Sequence, residues 1–423
     1  MTFPASHAGV SGQKHRSADS PKRAGFVGGG KHLLLQADQD PGVALAALRE
    51  AAFAVSEALY EYEGRDEAYV VINGPVPTPG GPIARVQDCE PAKALPLMLD
   101  RLAADLTARG ITGRLVPATA FKGVGISGQT ALGMVCSPLT ETDAMYAAFE
   151  DWRRLPAYRG LWVEEGRHRR VVTTLVEWVT QVEGTVLIHV VDLYETDPAA
   201  LVPYLTQALH SDSRLGFSVT SPDRRTRREV QFADSEIICY DYGPDQPRRA
   251  QLASLTDLAT RLAPDLAYAL VRELRTSMIR IDDCRKVPPN TPLFNDLRHP
   301  FIFKHLEPDY VFDAGVAQVL TTSQLAKTTL PPERWTVVDL GGDRHLVTAN
   351  DPDPWLHPDP HYVHRTNTLP PDWSDPEVLA AARADFGPAI MTVETLRQHP
   401  PPLTPEQIRT DPTLRSLGVT PPS

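Results

Sequence analysis

The chain has 423 residues and a formal net charge of −11 at pH 7, with an apolar share of 42% and a charged share of 22%. That length supports two or three domains with cores of their own, and the composition is globular. The acidic balance argues against a duplex nucleic-acid binder, which needs a positive face, and no apolar run approaches the roughly 20 residues of a membrane-spanning helix.

The polar start Met1 to His7 is not followed by an apolar signal core, and Cys89, Cys136, Cys239 and Cys284 form no CxxC pair. These features predict a soluble cytoplasmic protein with reduced thiols and no cofactor. Residues 1–30 mix Gly, Ser, Lys, Arg and Pro without apolar periodicity, the composition of a disordered arm. Within it, Gly25 to Lys31 matches part of a phosphate-binding loop. His32 stands where a hydroxyl should hold magnesium, so a glycine hinge is the preferred reading.

Residues 31–140 read as one α+β block. A strand at Leu33-Leu34-Leu35 leads to a helix capped by Asp40 and started by Pro41, with Val43, Leu48, Ala52, Val55 and Leu59 in its repeat. Strands at Tyr69 to Ile72 and Ile83 to Val86 follow. The next helix carries Leu95, Met98, Leu99, Leu102 and Leu106 and stops at Gly110, and the last strand is Arg114 to Val116. The order strand, helix, strand, strand, helix, strand predicts a split βαβ, or ferredoxin-like, sandwich. Gly123 to Gly128 has dinucleotide-loop spacing but lacks the following helix, so it is read as a loop that needs glycine freedom. Ser127 fails the nucleophile-elbow pattern because Gln129 replaces its last glycine.

Residues 141–349 read as a second α+β block, of hairpins and helices. Val171 to Thr180 and Val186 to Tyr194 are β-branched runs around Glu183-Gly184, a hairpin signal. A helix opens at Asp197-Pro198. Phe217 to Thr220 and Glu229 to Tyr242 suggest a second hairpin, and Leu252 to Arg275 a long helix broken near Pro264. The fold class is thus α+β, with antiparallel or mixed sheets and helices on one face. Trp335 to Ala349 reads as a hairpin turning at Gly341-Gly342-Asp343, and its Thr336 to Thr348 segment resembles hairpins of bacterial toxin-immunity proteins, which implies nothing about function. Residues 350–423 are a Pro-rich tail with short helices at Asp375 to Phe386 and after Thr404, expected to be mobile or to dock. Trp355 and Trp373 lie in that tail and are expected to bury against another domain or chain.

The clearest charge anomaly is Arg224, Arg225, Arg227 and Arg228 at the second hairpin's tip, with Arg167, Arg169 and Arg170 earlier in the block. Arginine forks onto carboxylate and phosphate, so the tip is the candidate contact for an acidic or phosphorylated protein partner; a solvated loop is the plain alternative. His357, Asp359, His361 and His364 have metal-ligand chemistry, but prolines keep the histidines from converging, so no metal is expected. The expected function is non-catalytic protein binding. The alternative is an enzyme, such as a metal-dependent hydrolase, whose site assembles in three dimensions from residues such as Asp282, Asp283, His299, His305 and Asp309.

Overall fold

The computed structural model describes residues 31–58, 69–76, 78, 80–90, 94–118, 130–147, 164–189, 193–208, 215–232, 236–243, 248–274, 303–356, 376–411, 414–415 and 417–421. Its contacts divide the chain into two compact units, Met1–Gly123 with Ile188–Thr196, and Val124–Leu187 with Asp197–Ser423. The fold is α+β, and the sheets of both units are built from antiparallel pairs.

In the first unit, β1 (Lys31–Ala37), α1 (Pro41–Ala58), β2 (Tyr69–Val76), β3 (Ile83–Glu90), α2 (Ala94–Ala108) and β4 (Gly113–Ala118) give a sheet of order β2-β3-β1-β4. Asp40 caps α1 as its position suggests, its Oδ1 accepting from Gly42 N at 2.8 Å. Alternation in β1 puts Leu33 and Leu35 on one sheet face, where Leu48, Ala51 and Val55 of α1 and Met98, Leu102 and Leu106 of α2 cover them. After α2 the chain turns through Gly110 at φ 74°, a backbone state that glycine adopts without a Cβ penalty.

The second unit is built on the strand order β13-β14-β12-β11-β5-β10-β9-β8-β6, of which β6 belongs to it only as far as Leu187. In chain order these strands are β5 (Thr130–Pro138), β6 (Thr185–His189), β8 (Gly216–Thr220), β9 (Arg227–Phe232), β10 (Ile237–Gly243), β11 (Leu266–Leu274), β12 (Ala317–Thr321), β13 (Trp335–Gly341) and β14 (Arg344–Ala349). The short β7 (Leu193–Glu195) groups with the first unit. Helices α3 (Thr142–Ala147), α4 (Glu165–Val179), α5 (Pro198–Ala208) and α6 (Arg248–Leu262) belong to the second unit.

Several elements differ from what the sequence predicts. Val171 to Val179 is the end of α4 rather than a strand. His168, Val171, Val172, Leu175, Val176, Trp178 and Val179 are all buried, and that 3.6-residue spacing outweighs the β preference of the individual valines. Glu229 to Tyr242 is two strands, β9 and β10. The helix expected from Leu252 to Arg275 runs instead from Arg248 to Leu262, and a 3-10 turn at Ala263–Asp265 containing Pro264 delivers the chain into β11.

The C-terminal segment also differs from a mobile linker over its described residues. Met391, Leu396, Leu403, Ile408, Leu414 and Val419 are buried in one cluster with Tyr268, Phe303 and Phe312. Helices at Val393–Gln398 and Pro405–Thr410 each begin with a capping box, at Thr392 and Thr404. Apolar residues at wide intervals thus suffice when the core they enter comes from elsewhere in the chain. Trp355 is buried against Trp335 of the same chain, at 6.0 Å between ring centroids, while Trp373 lies outside the described residues.

Candidate functional site

Strand register sorts the second unit's side chains onto two sheet faces. Arg228, Asp241 and Cys239 face α4 and α6: Arg228 donates to Trp178 O at 2.7 Å and to Ser254 Oγ at 2.8 Å. Alternation puts Arg227, Glu229, Tyr240 and Tyr242 on the opposite face. Across that face, Arg272, Gly133, Tyr240 and Glu229 form one row, Leu270, Val135 and Ile238 form the next, and Tyr268 and Ser137 lie in the row beyond, toward one end.

At this end the fold assembles a buried polar cluster. Ser137 Oγ donates to Glu307 Oε2 at 2.7 Å, and Lys304 Nζ lies 2.9 Å from Glu307 Oε1 and 3.0 Å from Oε2, while also donating to Ser137 Oγ. Beside it, Tyr268 OH donates to Glu236 Oε1. Burial pushes the Glu236 carboxyl up to about 7, against the Tyr268 hydrogen bond and the nearby Lys304 charge, which favour ionisation. Burial also raises Glu307, opposed mainly by Lys304.

Serine, lysine and carboxylates together are the ingredients of nucleophilic catalysis, which requires a neutral amine to take the serine proton. Here Lys304 Nζ bonds Glu307 and donates to Ser137 Oγ, whose own hydroxyl donates to Glu307 Oε2. The Lys304 and Glu307 side chains are 1% and 2% exposed, and Ser137 is fully buried. The cluster therefore ties β5 to the 3-10 turn at Lys304–Leu306 and presents no reacting atom to solvent.

The four arginines of the hairpin do not act together. Arg228 is held by Asp241 at 3.2 Å, by Gln181 Oε1 at 2.7 Å, and by the Trp178 ring, 4.9 Å from its guanidinium carbon. Arg227 pairs with Glu229 at 2.6 Å and lies over the Tyr242 ring. Arg224 and Arg225 are exposed on a tightly closed tip. Ser221 Oγ donates to Asp223 Oδ1 and accepts from Thr226 N, and Asp223 Oδ1 also accepts from Arg225 N. Arg224 holds φ 59°, an unusual backbone state for a residue with a side chain. The earlier arginines are partly structural too: Arg170 grips Asp265 at 2.6 Å, and Arg167 lies 3.6 Å from the same carboxylate.

Of the residues suggested for an enzyme site, His305 and Asp309 are described and serve separate contacts. His305 Nδ1 meets Tyr146 OH at 3.0 Å and Nε2 donates to His399 O at 2.8 Å, and burial lowers its pKa to about 4, which favours the neutral ring at pH 7. Asp309 bonds Ser323 and Lys327 at the surface. Asp282, Asp283, His299, His357, Asp359, His361, His364 and the glycines at 25–30 and 123–128 lie outside the described residues. Among the described residues no group of three metal-ligating side chains converges.

Reading the sequence locally misses Ser137, Glu236, Tyr268, Lys304 and Glu307 because they come from segments up to 170 residues apart. Lys304 and Glu307 alone, three residues apart, look like an ordinary surface ion pair.

No family model matches this chain, and no curated protein does. Among solved structures it is similar to the Pseudomonas aeruginosa T6SS protein PA0821, at 10% identity and a TM-score of 0.35 over 62% of this chain and 77% of that one. A likeness of this extent carries no argument about either fold or function.

Proposed function

We propose that this chain is a non-catalytic protein-binding protein, and that Arg224 and Arg225 form its contact for an acidic or phosphorylated partner. One contrast carries the reading: the best-equipped chemical cluster is sealed from solvent, whereas Arg224 and Arg225 are exposed on a tip closed by its own hydrogen bonds. A preordered tip loses little entropy when a carboxylate or phosphate docks on it. Cytoplasmic residence fits the free thiols of Cys136 and Cys239, which touch in the core without a disulfide. The strand order of the first unit supports reading it as a ferredoxin-like sandwich.

The test is titration of the full chain with a glutamate-rich peptide and a phosphoserine peptide. Arg224→Ser with Arg225→Ser should weaken binding of at least one about tenfold at low salt, while Ser137→Ala leaves it unchanged. Equal binding by the arginine double variant rejects the assignment of the tip.

A further inference from the structure

The edge formed by β13 offers a second surface. Among the described residues no strand pairs with its outer side, and β14 holds its inner side from Trp335↔Ala349 to Gly341↔Arg344. Edge strands are normally blunted by shortness, proline or lysine. This one is seven residues long, lacks both residue types, has its register irregularity only at the turn end between Asp339 and Gly341, and exposes Val337 at 43% and Val338 at 45%. The two valines sit on opposite sheet faces, and Thr336 and Asp339 beside them are also exposed, so both faces are uncovered along the strand.

The edge is also firmly mounted. Trp335 Nε1 donates to Asp385 Oδ2 at 2.8 Å, and Arg334 forks onto the same carboxylate, with Nε 2.9 Å from Oδ2. Phe386 packs edge-on against the Trp335 ring at 5.2 Å. At the far end Asp339 Oδ1 accepts from Gly341 N at 2.8 Å and fixes the turn. A strand held at both ends is preorganised for pairing with another.

We infer that β13 binds an extended, β-branched, basic segment of another polypeptide by strand addition. The exposed Val337 and Val338 would accept alternating apolar side chains. The charge preference comes from Glu333 and Asp339, which are exposed and have no ion pair among the described residues, in a chain of net charge −11. A second copy is disfavoured by the same charges, since it would bring two Asp339 carboxylates into one short ladder. This surface is separate from the arginine tip, and its test does not depend on that assignment.

The probe is a capped peptide of about ten alternating valine and lysine residues, with a valine and glutamate peptide as control. Its affinity for the full chain is measured by fluorescence anisotropy, alongside amide exchange of Thr336 to Leu340. The basic peptide should bind, should protect those amides, and should weaken as salt rises. Val337→Lys with Val338→Lys, both at exposed positions, should keep the parental Tm and reduce affinity about tenfold or more. No binding at about 1 mM peptide, equal binding by the lysine variant, or preference for the acidic control overturns the inference. Alternate amides of this stretch already bond β14, so the readout is those that point away from it. Their protection in the free chain, either at all concentrations, from its own polypeptide, or rising with concentration, from a second copy, also overturns the inference.

Discussion

Arg228 shows at the residue scale why charge alone does not identify a binding surface. It faces the helices, and its removal would leave Asp241, 6% exposed and already raised in pKa by burial, without its main partner. Arg228→Ala should therefore cost about 3 kcal/mol, while Arg224→Ala with Arg225→Ala should change stability by less than about 0.5 kcal/mol. Urea titration separates the two; equal losses would contradict the assignments. The run of arginines was legible in the sequence, but its division was not, because Asp241 and Trp178 reach Arg228 through tertiary contacts. Glu236 gives a second residue-scale expectation. Burial pushes its pKa up to about 7 from the ordinary 4.5, so the folded state binds more protons between those values. Its contribution is full below about pH 4.5 and is lost as pH rises through 7, an effect on the order of 3 kcal/mol. Glu236→Gln should remove that decline from a series of denaturation curves, leaving the effects of Lys304, Glu307, Arg272 and Tyr268 around it. An unchanged pH profile would show that Glu236 is ionised in the fold.

Caps and turns were the readable part of the chain at the scale of elements. Asp40, Thr404 and the Gly341-Gly342-Asp343 turn act through neighbours a few residues away, and the structure places each as its sequence suggests. Longer segments depended on partners. The valines of α4 favour strands individually, yet their spacing matches a helix that can bury one side against the sheet. The C-terminal helices looked too sparse in apolar residues to make a core because they share one with Tyr268, Phe303 and Phe312. Ile408 is fully buried there, so Ile408→Ala should cost about 2 to 4 kcal/mol. A loss below about 0.5 kcal/mol in urea titration would mean that the segment is detached in solution.

The division of the whole molecule into two units, with Ile188–Thr196 joining the first, could not be read from composition, since it depends on contacts between distant segments. The buried cluster was hidden for the same reason: Ser137 and Lys304 meet across 167 positions of sequence. The first unit was the more legible, because its order of strands and helices reflects local periodicity that the core then confirms. The central claim is that the molecule works through exposed contacts while its sealed cluster stays structural. Affinity capture from the native host, followed by mass spectrometry, tests this most directly with parent, Arg224→Ser/Arg225→Ser and Ser137→Ala chains. The account predicts an acidic partner retained by the parent and by Ser137→Ala, and lost both from the arginine variant and at high salt. A partner set identical for parent and arginine variant, or substrate turnover abolished by Ser137→Ala in a chain of unchanged Tm, would contradict it.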